Sequence, residues 1–356
     1  ASCQMKIYFV GICGIGMSAL AQAFAYLGHE VAGSDREISA DGVNGELVSF
    51  FKRDMVTIFP QDGSFIKSFQ PDMMVYSTAI ESDNRDLMAS PEIKKIHRSE
   101  ALKLFLDEQK DKISIAVTGT SGKTTVSAWL AQTLFELRLD PCAVIGGKLA
   151  KFANGKELPG NFLPGRGKYI VFEADESDKS ILNYSCDYAL ILNTGPDHYP
   201  VEEQNKVFSE FAATARKAVI CNEALKDKIS LTSSSPLFTF GKGGKKMADQ
   251  RHISLRNYIP PNTSSDQNAH AIIEDIEQID LKLPCPGEHN AMNACAVIAT
   301  LRAIGINGNV ASEMNAFSGV QRRFNVLGRN KNGCLIVDDY AHNPDKIEHC
   351  ILTAKE

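Results

Sequence analysis

ISIAVTGTSGKTT, residues 113–125, decides the fold class. Ile113–Val117 is a short apolar run of the kind that forms a strand buried on both faces. The loop Thr118-Gly119-Thr120-Ser121-Gly122-Lys123-Thr124-Thr125 follows it, and a helix is expected over Thr124–Leu137. Strand, glycine loop and helix in that order make a phosphate cradle. The loop amides and Lys123 would face the β- and γ-phosphates of ATP, and the Thr124 hydroxyl would reach Mg²⁺. The full G-x-x-x-x-G-K-[ST] pattern requires glycine where Val117 stands, so the shorter G-x-x-G-K-T-T form is what the sequence carries. A structural turn with an exposed lysine is the alternative reading of the same residues.

Upstream, a second glycine loop has the same setting. Gly11-Ile12-Cys13-Gly14-Ile15-Gly16 follows the strand Lys6–Val10 and opens a helix over Met17–Leu27. A strand over His29–Ala32 then leads to Asp35, where an acidic side chain often meets a ribose. The spacing is G-x-x-G-x-G. Cys13 occupies a position at which the dinucleotide fingerprint needs glycine, which favours a nucleotide-linked diphosphate over NAD. A tight turn without a ligand stays open on these residues alone. Met73–Tyr76, followed by Ser77-Thr78-Ala79, reads as another strand of this first sheet.

Downstream of the phosphate loop, strands are expected at Tyr169–Glu173, Tyr188–Leu192 and Ala218–Cys221, with helices between them. That alternation predicts a mostly parallel α/β sheet. Residues 230–278 are polar and read as an antiparallel edge or long loops. Pro286–Ile304 reads as a loop entering a helix. Cys334–Val337 reads as a strand, with a helix over Asn343–Lys355 behind it.

Composition narrows the classes. The chain has 356 residues, more than one core usually serves, so two or three domains are expected. A net charge of −5 provides no basic face for a nucleic acid. No apolar run reaches the ~18–20 residues of a membrane span, and the N-terminal residues show no secretory pattern. Nine cysteines without C-x-x-C spacing predict reduced thiols and a cytoplasmic setting.

Seven ordered blocks, taken together, carry a resemblance. GICGIGMS (Gly11–Ser18), GTSGKTT (Gly119–Thr125), EADESDKS (Glu173–Ser180), Asp197-His198, GEHNAMNA (Gly287–Ala294), RRF (Arg322–Phe324) and DDYAHNP (Asp338–Pro344) resemble the Mur ligases. Within that family they most resemble the branch that adds L-alanine to UDP-N-acetylmuramate. The resemblance implies a Rossmann-like UDP-sugar-binding domain over 1–107 and a central P-loop ATP-binding domain over 108–322. It also implies the beginning of a Rossmann-like amino-acid-binding domain over 323–356, of which this sequence holds only the start. It implies an ATP-dependent amide ligase of peptidoglycan synthesis, using Mg²⁺ (or Mn²⁺) and acting as a monomer or homodimer without nucleic acid or membrane.

By the same resemblance, Lys123, Arg323 and His198 would be catalytic, and Thr124, Glu173 and His198 would hold metal. ATP would lie on Gly119, Thr120, Ser121, Gly122, Lys123, Thr124 and Thr125, with His289, Asn290, Asn293 and Asp339. The UDP-sugar would lie on Gly11, Gly14, Ile15, Gly16, Met17, Ser18, Asp35, Ser77, Thr78 and Ala79. The amino acid would meet Tyr340 and His342. The sequence departs from the family pattern at Ser121, Gly195 and Asn343. A ligase taking a different amino acid or a tripeptide therefore stays as the alternative, as does a relative that binds nucleotide without turning it over.

Overall fold

The computed structural model describes residues 4–38, 45–153, 159–176, 180–195, 200–230, 235–243, 251–261, 268–275, 277–341 and 344–355. They fall into two compact units, residues 1–112 with 142–166 and residues 113–141 with 167–356.

In the first unit, β1 (Lys6–Val10), β2 (Glu30–Ser34), β3 (Thr57–Phe59), β4 (Met73–Tyr76) and β5 (Lys94–His97) form one sheet in the order β3-β2-β1-β4-β5. Every pairing in it is parallel. The helices are α1 (Ile15–Tyr26), α2 (Gly45–Arg53), α3 (Arg85–Ala89) and α4 (Arg98–Glu108). Strand order reverses between β1 and β4, the place where an open parallel sheet leaves a crevice at the strands' C-terminal ends. Ile7, Tyr8, Phe9 and Val10 of β1 are all fully buried, which is why this strand carries no alternation in its sequence. His97 begins α4 with a capping box, its ring accepting from Ser99 N while Glu100 accepts from His97 N.

The chain then enters the second unit with β6 (Ile113–Thr118) and α5 (Lys123–Glu136). It returns to the first unit for the antiparallel pair β7 (Cys142–Val144) and β8 (Phe162–Pro164). Both strands pack on α1. Asn161, fully buried, donates to Ile15 O at 2.7 Å and Ser18 Oγ at 2.8 Å, and accepts from Gln22 Nε2 at 2.9 Å. A buried amide so fully satisfied is costly to disturb.

The second unit continues with β9 (Tyr169–Glu173), β10 (Tyr188–Ile191), α6 (Val201–Ala212), β11 (Ala218–Asn222), β12 (Leu237–Gly241), β13 (His252–Ile259), β14 (His270–Glu274) and β15 (Gln278–Lys282). Its strands run in the order β15-β14-β13-β12-β11-β10-β6-β9. From β9 through β13 the pairings are parallel. Beyond β13 they are antiparallel. The polar stretch 230–278 thus holds two parallel strands as well as the expected antiparallel edge. Its strands look polar because several of their residues face solvent near the sheet's margin, as in His252–Ile259, whose last four residues are exposed or half-buried.

α7 (Glu288–Ala303), α8 (Ala311–Asn315), β16 (Asn325–Arg329), β17 (Leu335–Asp338) and α9 (Pro344–Lys355) complete the unit. β16 was not foreseen; it pairs with β17 as an exposed antiparallel ribbon. The helix α5 is held by Trp129, which donates to Met314 O at 3.0 Å and stacks on Phe317 at 5.0 Å.

Arg302 closes α7. It ion-pairs with Asp275 and donates to Ile306 O and Gly308 O, each at 2.8 Å. Both charged side chains are buried. Arg302→Met is expected to cost ~3–5 kcal/mol, since it strands a buried carboxylate and two carbonyls. Urea unfolding of Arg302→Met and of Arg302→Met/Asp275→Asn checks this, the second variant recovering part of the loss.

Candidate functional site

The first unit gathers its glycine loop, Asp35 and Ser77–Ala79 at the C-terminal ends of β2, β1 and β4, which lie side by side. Ser77 O accepts from Ile80 N at 3.0 Å, and this turn sets the Ile80 side chain against Gly11. A Cβ on Gly11, which has φ +76°, would lie 2.8 Å from Ile80 Cδ1.

Most loop amides are spent within the protein, chiefly on the end of β2. Gly11 N and Ile12 N both donate to Ser34 O at 2.9 Å, and Gly14 N donates to Gly11 O at 3.1 Å. Asp35 accepts from Cys13 N at 2.8 Å and from Glu37 N at 2.9 Å. Its carboxylate therefore shapes the loop. Burial, then Asp35, pushes the Cys13 thiol up to about 12, so it is not a nucleophile at neutral pH.

Ile15, Gly16 and Met17 form the first turn of α1, whose amides have no intrahelical acceptor. Met17 and Ser18 are buried, and Ser18 is engaged by Asn161 and Ile15. They support the helix more than they face a ligand. Arg98, the first residue of α4, carries no signal in the sequence that marks it for this site. A Cβ on Gly16 would sit 2.7 Å from Arg98 Nη1, so only glycine leaves this guanidinium its place beside the first turn of α1.

In the second unit the phosphate loop joins β6 to α5. Gly119 (φ +137°) and Gly122 (φ +85°) adopt backbone conformations that other residues avoid. A Cβ on Gly122 would lie 2.8 Å from Asn293 Oδ1, so the first turns of α7 lie beside the loop. Asn293 donates to Asn290 Oδ1 at 3.3 Å, and Asn290 donates to Pro286 O at 2.8 Å. His289 stacks on His349 with ring centroids 5.5 Å apart.

Thr124 and Glu173 come together: Thr124 Oγ1 donates to Glu173 Oε2 at 3.1 Å. Ser127, one turn further along α5, donates to Glu173 Oε1 at 3.1 Å. Lys123 Nζ lies 2.7 Å from Glu176 Oε2 and donates to Gly119 O at 2.8 Å. Asn193 staples the loop. It accepts from Ser121 N at 2.9 Å and donates to Ser121 O at 3.0 Å, while its carbonyl accepts from Thr120 N at 3.3 Å. Ser127, Glu176 and Asn193 were not singled out from the sequence. The spacing of Thr124 and Ser127, i and i+3 on one helix face, was the signal available for the first of them.

No group of three or more His, Cys, Asp or Glu is gathered for a metal among the described residues. A hard cation such as Mg²⁺ keeps several waters and takes one or two protein oxygens with phosphate oxygens. The hydroxyl of Thr124 and the carboxylate of Glu173 are such a pair. Among the described residues, the Thr120 hydroxyl of the same loop is buried without a hydrogen-bond partner. His198 and His342 lie outside the described residues.

The segments Arg322–Phe324 and Asp339–Tyr340 hold one another. Tyr340 N donates to Arg322 O at 2.9 Å and Phe324 N to Asp339 Oδ2 at 2.7 Å. The Arg322 and Arg323 guanidinium groups lie 5.2 and 5.7 Å from the Tyr340 ring centroid. Arg322 (φ +57°) and Phe324 (φ +48°) take left-handed backbone to make this turn.

No described helix is long and apolar enough to cross a membrane. The profile of the Mur ligase middle domain matches residues 117–301, and that of the Mur ligase family, catalytic domain, matches residues 6–110. The UDP-N-acetylmuramate–L-alanine ligase of Carboxydothermus hydrogenoformans is 34% identical, over 99% of this chain and 73% of that protein. The enzyme of the same name from Acaryochloris marina is 31% identical, over 98% and 71%. The crystal structure of UDP-N-acetylmuramate–alanine ligase from Thermotoga maritima superposes with a TM-score of 0.81. It is 29% identical and covers 99% of this chain and 78% of that one.

Proposed function

Because the chain belongs to the Mur ligase family, we propose that it joins L-alanine to the carboxylate of UDP-N-acetylmuramate at the expense of ATP, a cytoplasmic step of peptidoglycan synthesis. The observation that carries the ATP half is the convergence of Lys123, Thr124 and Glu173 on one phosphate loop between β6 and α5. The observation behind the alanine half is the identity with alanine ligases over nearly the whole chain.

A carboxylate does not accept an amine in water, and phosphoryl transfer from ATP turns it into an acyl phosphate that does. The transferring group spreads negative charge over its oxygens, so catalysis is positioning and neutralisation. Lys123 and the loop amides supply fixed positive ends at the phosphates. Thr124 and Glu173 would hold Mg²⁺, which neutralises phosphate oxygens when bound. Asn290 and Asn293 fix the first turns of α7 beside the loop, on the side proposed for adenine. Arg323 would serve the γ-phosphate once it leaves Tyr340, and Asp339 and Tyr340 would meet ribose and amino acid.

In the first unit, the α1 first turn and Arg98 would hold the UDP diphosphate, with helix amides and a guanidinium acting on one anion. The geometry separates two glycines here. A Cβ on Gly14 meets nothing closer than 3.4 Å, whereas one on Gly16 collides with Arg98. Gly16→Ala is expected to weaken UDP-N-acetylmuramate binding ~10-fold or more, one good charge-assisted contact, and Gly14→Ala much less. Isothermal titration of the two variants checks the order; equal affinities would remove Arg98 from the site.

The function itself is tested by phosphate release with ATP, Mg²⁺ and UDP-N-acetylmuramate, offering each amino acid and the L-alanyl-γ-D-glutamyl-diaminopimelate tripeptide in turn. L-Alanine should give the highest kcat/KM. Preference for the tripeptide would move the chain to a recycling branch of the family.

A further inference from the structure

We propose that Glu176 is a positioning residue that competes with the nucleotide's phosphates for Lys123, holding the lysine over its own loop and yielding it when ATP binds. This rests on the nucleotide reading above and deepens it.

Lys123 is turned back onto its own loop, between Gly119 O at 2.8 Å and Glu176 Oε2 at 2.7 Å. A phosphate-binding lysine must give its donors to phosphate oxygens, so both of these contacts compete with the ligand. Glu176 reaches Lys123 from the segment behind β9, three residues past Glu173. Its side chain is 1% exposed and that of Lys123 is 18% exposed. The second carboxylate oxygen, Oε1, is buried with no hydrogen-bond partner among the described residues. Among the described residues, Lys123 is therefore the cation on a carboxylate that is otherwise poorly served. Burial pushes the Glu176 carboxyl above the usual range, Lys123 pulls it back, and Asp175 adds to the rise.

A purely structural ion pair would be expected to satisfy both carboxylate oxygens. Among the described residues Glu176 leaves one unsatisfied, and it puts its charge beside a loop suited to another anion. Its role is to keep Lys123 folded over the loop rather than extended into solvent, so that the ammonium is already in place when the phosphates arrive. The consequence is a resting charge that opposes nucleotide binding. Phosphates beside Lys123 must share the ammonium with a buried carboxylate or displace it, and the unpaired carboxylate then raises the free energy of the bound state.

The sign of this effect is the opposite of what a supporting residue would give. Glu176→Gln keeps the shape and an acceptor for Lys123 while removing the competing charge. It is expected to tighten ADP binding about tenfold, the size of one modest charge interaction at a partly buried site. The Michaelis constant for ATP should fall with it. Glu176→Asp keeps the charge but withdraws it from Lys123, and should tighten binding in the same direction by a smaller factor. This variant carries the test should Glu176→Gln fail to fold. The experiment is isothermal titration of ADP, at fixed Mg²⁺, into the wild-type chain and both variants, with melting temperatures to confirm folding. Tighter binding in the variants supports the proposal, and unchanged or weaker binding overturns it. A wild-type chain that binds no ADP overturns the nucleotide reading, and this proposal with it.

Discussion

Lys123→Ala is expected to lower ATP turnover by ~10²–10³-fold or more, the loss that follows removal of one preorganised charge at a charged transition state. Lys123 is the only residue in ISIAVTGTSGKTT that brings a full positive charge to the loop, and both of its present partners are oxygens. The substitution also strands the buried carboxylate of Glu176, so a fall in melting temperature should accompany it. The double variant Lys123→Ala/Glu176→Gln separates the two effects: stability returns and turnover does not. Phosphate release at saturating UDP-N-acetylmuramate and L-alanine is the measurement. Turnover within threefold of the wild-type chain would sink the assignment of this loop to ATP.

Glu173→Gln should raise the Mg²⁺ concentration needed for half-maximal turnover by ~10-fold or more, because a neutral amide is a weak ligand for a hard cation. The amide can keep one hydroxyl contact, so the fold should survive. Glu173 now accepts from Thr124 on one oxygen and Ser127 on the other. Ser127→Ala offers an internal comparison. It removes a hydrogen bond without touching the carboxylate's charge, and should shift the Mg²⁺ curve far less. A curve that moves equally in both variants would make Glu173 a structural residue of β9 that anchors α5 through Thr124 and Ser127.

The two glycine loops were legible because their chemistry is local. Strand, loop and helix follow one another within thirteen residues at 113–125, and the glycines sit where the backbone turns left-handed, as Gly119 and Gly122 do. β1, β4 and β9 were legible for the same reason: each is a short run of apolar residues buried on both faces. The partners that set the loops' charge were less visible. Arg98 is 82 positions from Gly16 in the chain and Asn193 is 72 from Ser121, and no period or spacing joins such pairs. Glu176 lies inside the block EADESDKS, yet its burial against Lys123 depends on how the chain leaves β9. β12 and β13 were obscured by the polar residues around them, and β13 itself ends in four exposed or half-buried residues.

The hairpin β7–β8 bears on how the protein is made. The ribosome delivers residues in order, and a domain condenses only when its last packing partner has emerged. Asn161 fills the hydrogen bonds of Ile15, Ser18 and Gln22, 139 to 146 positions earlier. The first unit therefore cannot finish folding until about residue 166 is out, by which time β6, the phosphate loop and α5 have already been synthesised. Those elements must wait as nascent chain, with Trp129 still lacking Met314 and Phe317. A gene fragment ending at residue 112 would leave the α1 carbonyl and hydroxyl without their buried partner. Separate expression of the first unit calls for a spliced gene in which 142–166 is joined to 1–112 by a short linker.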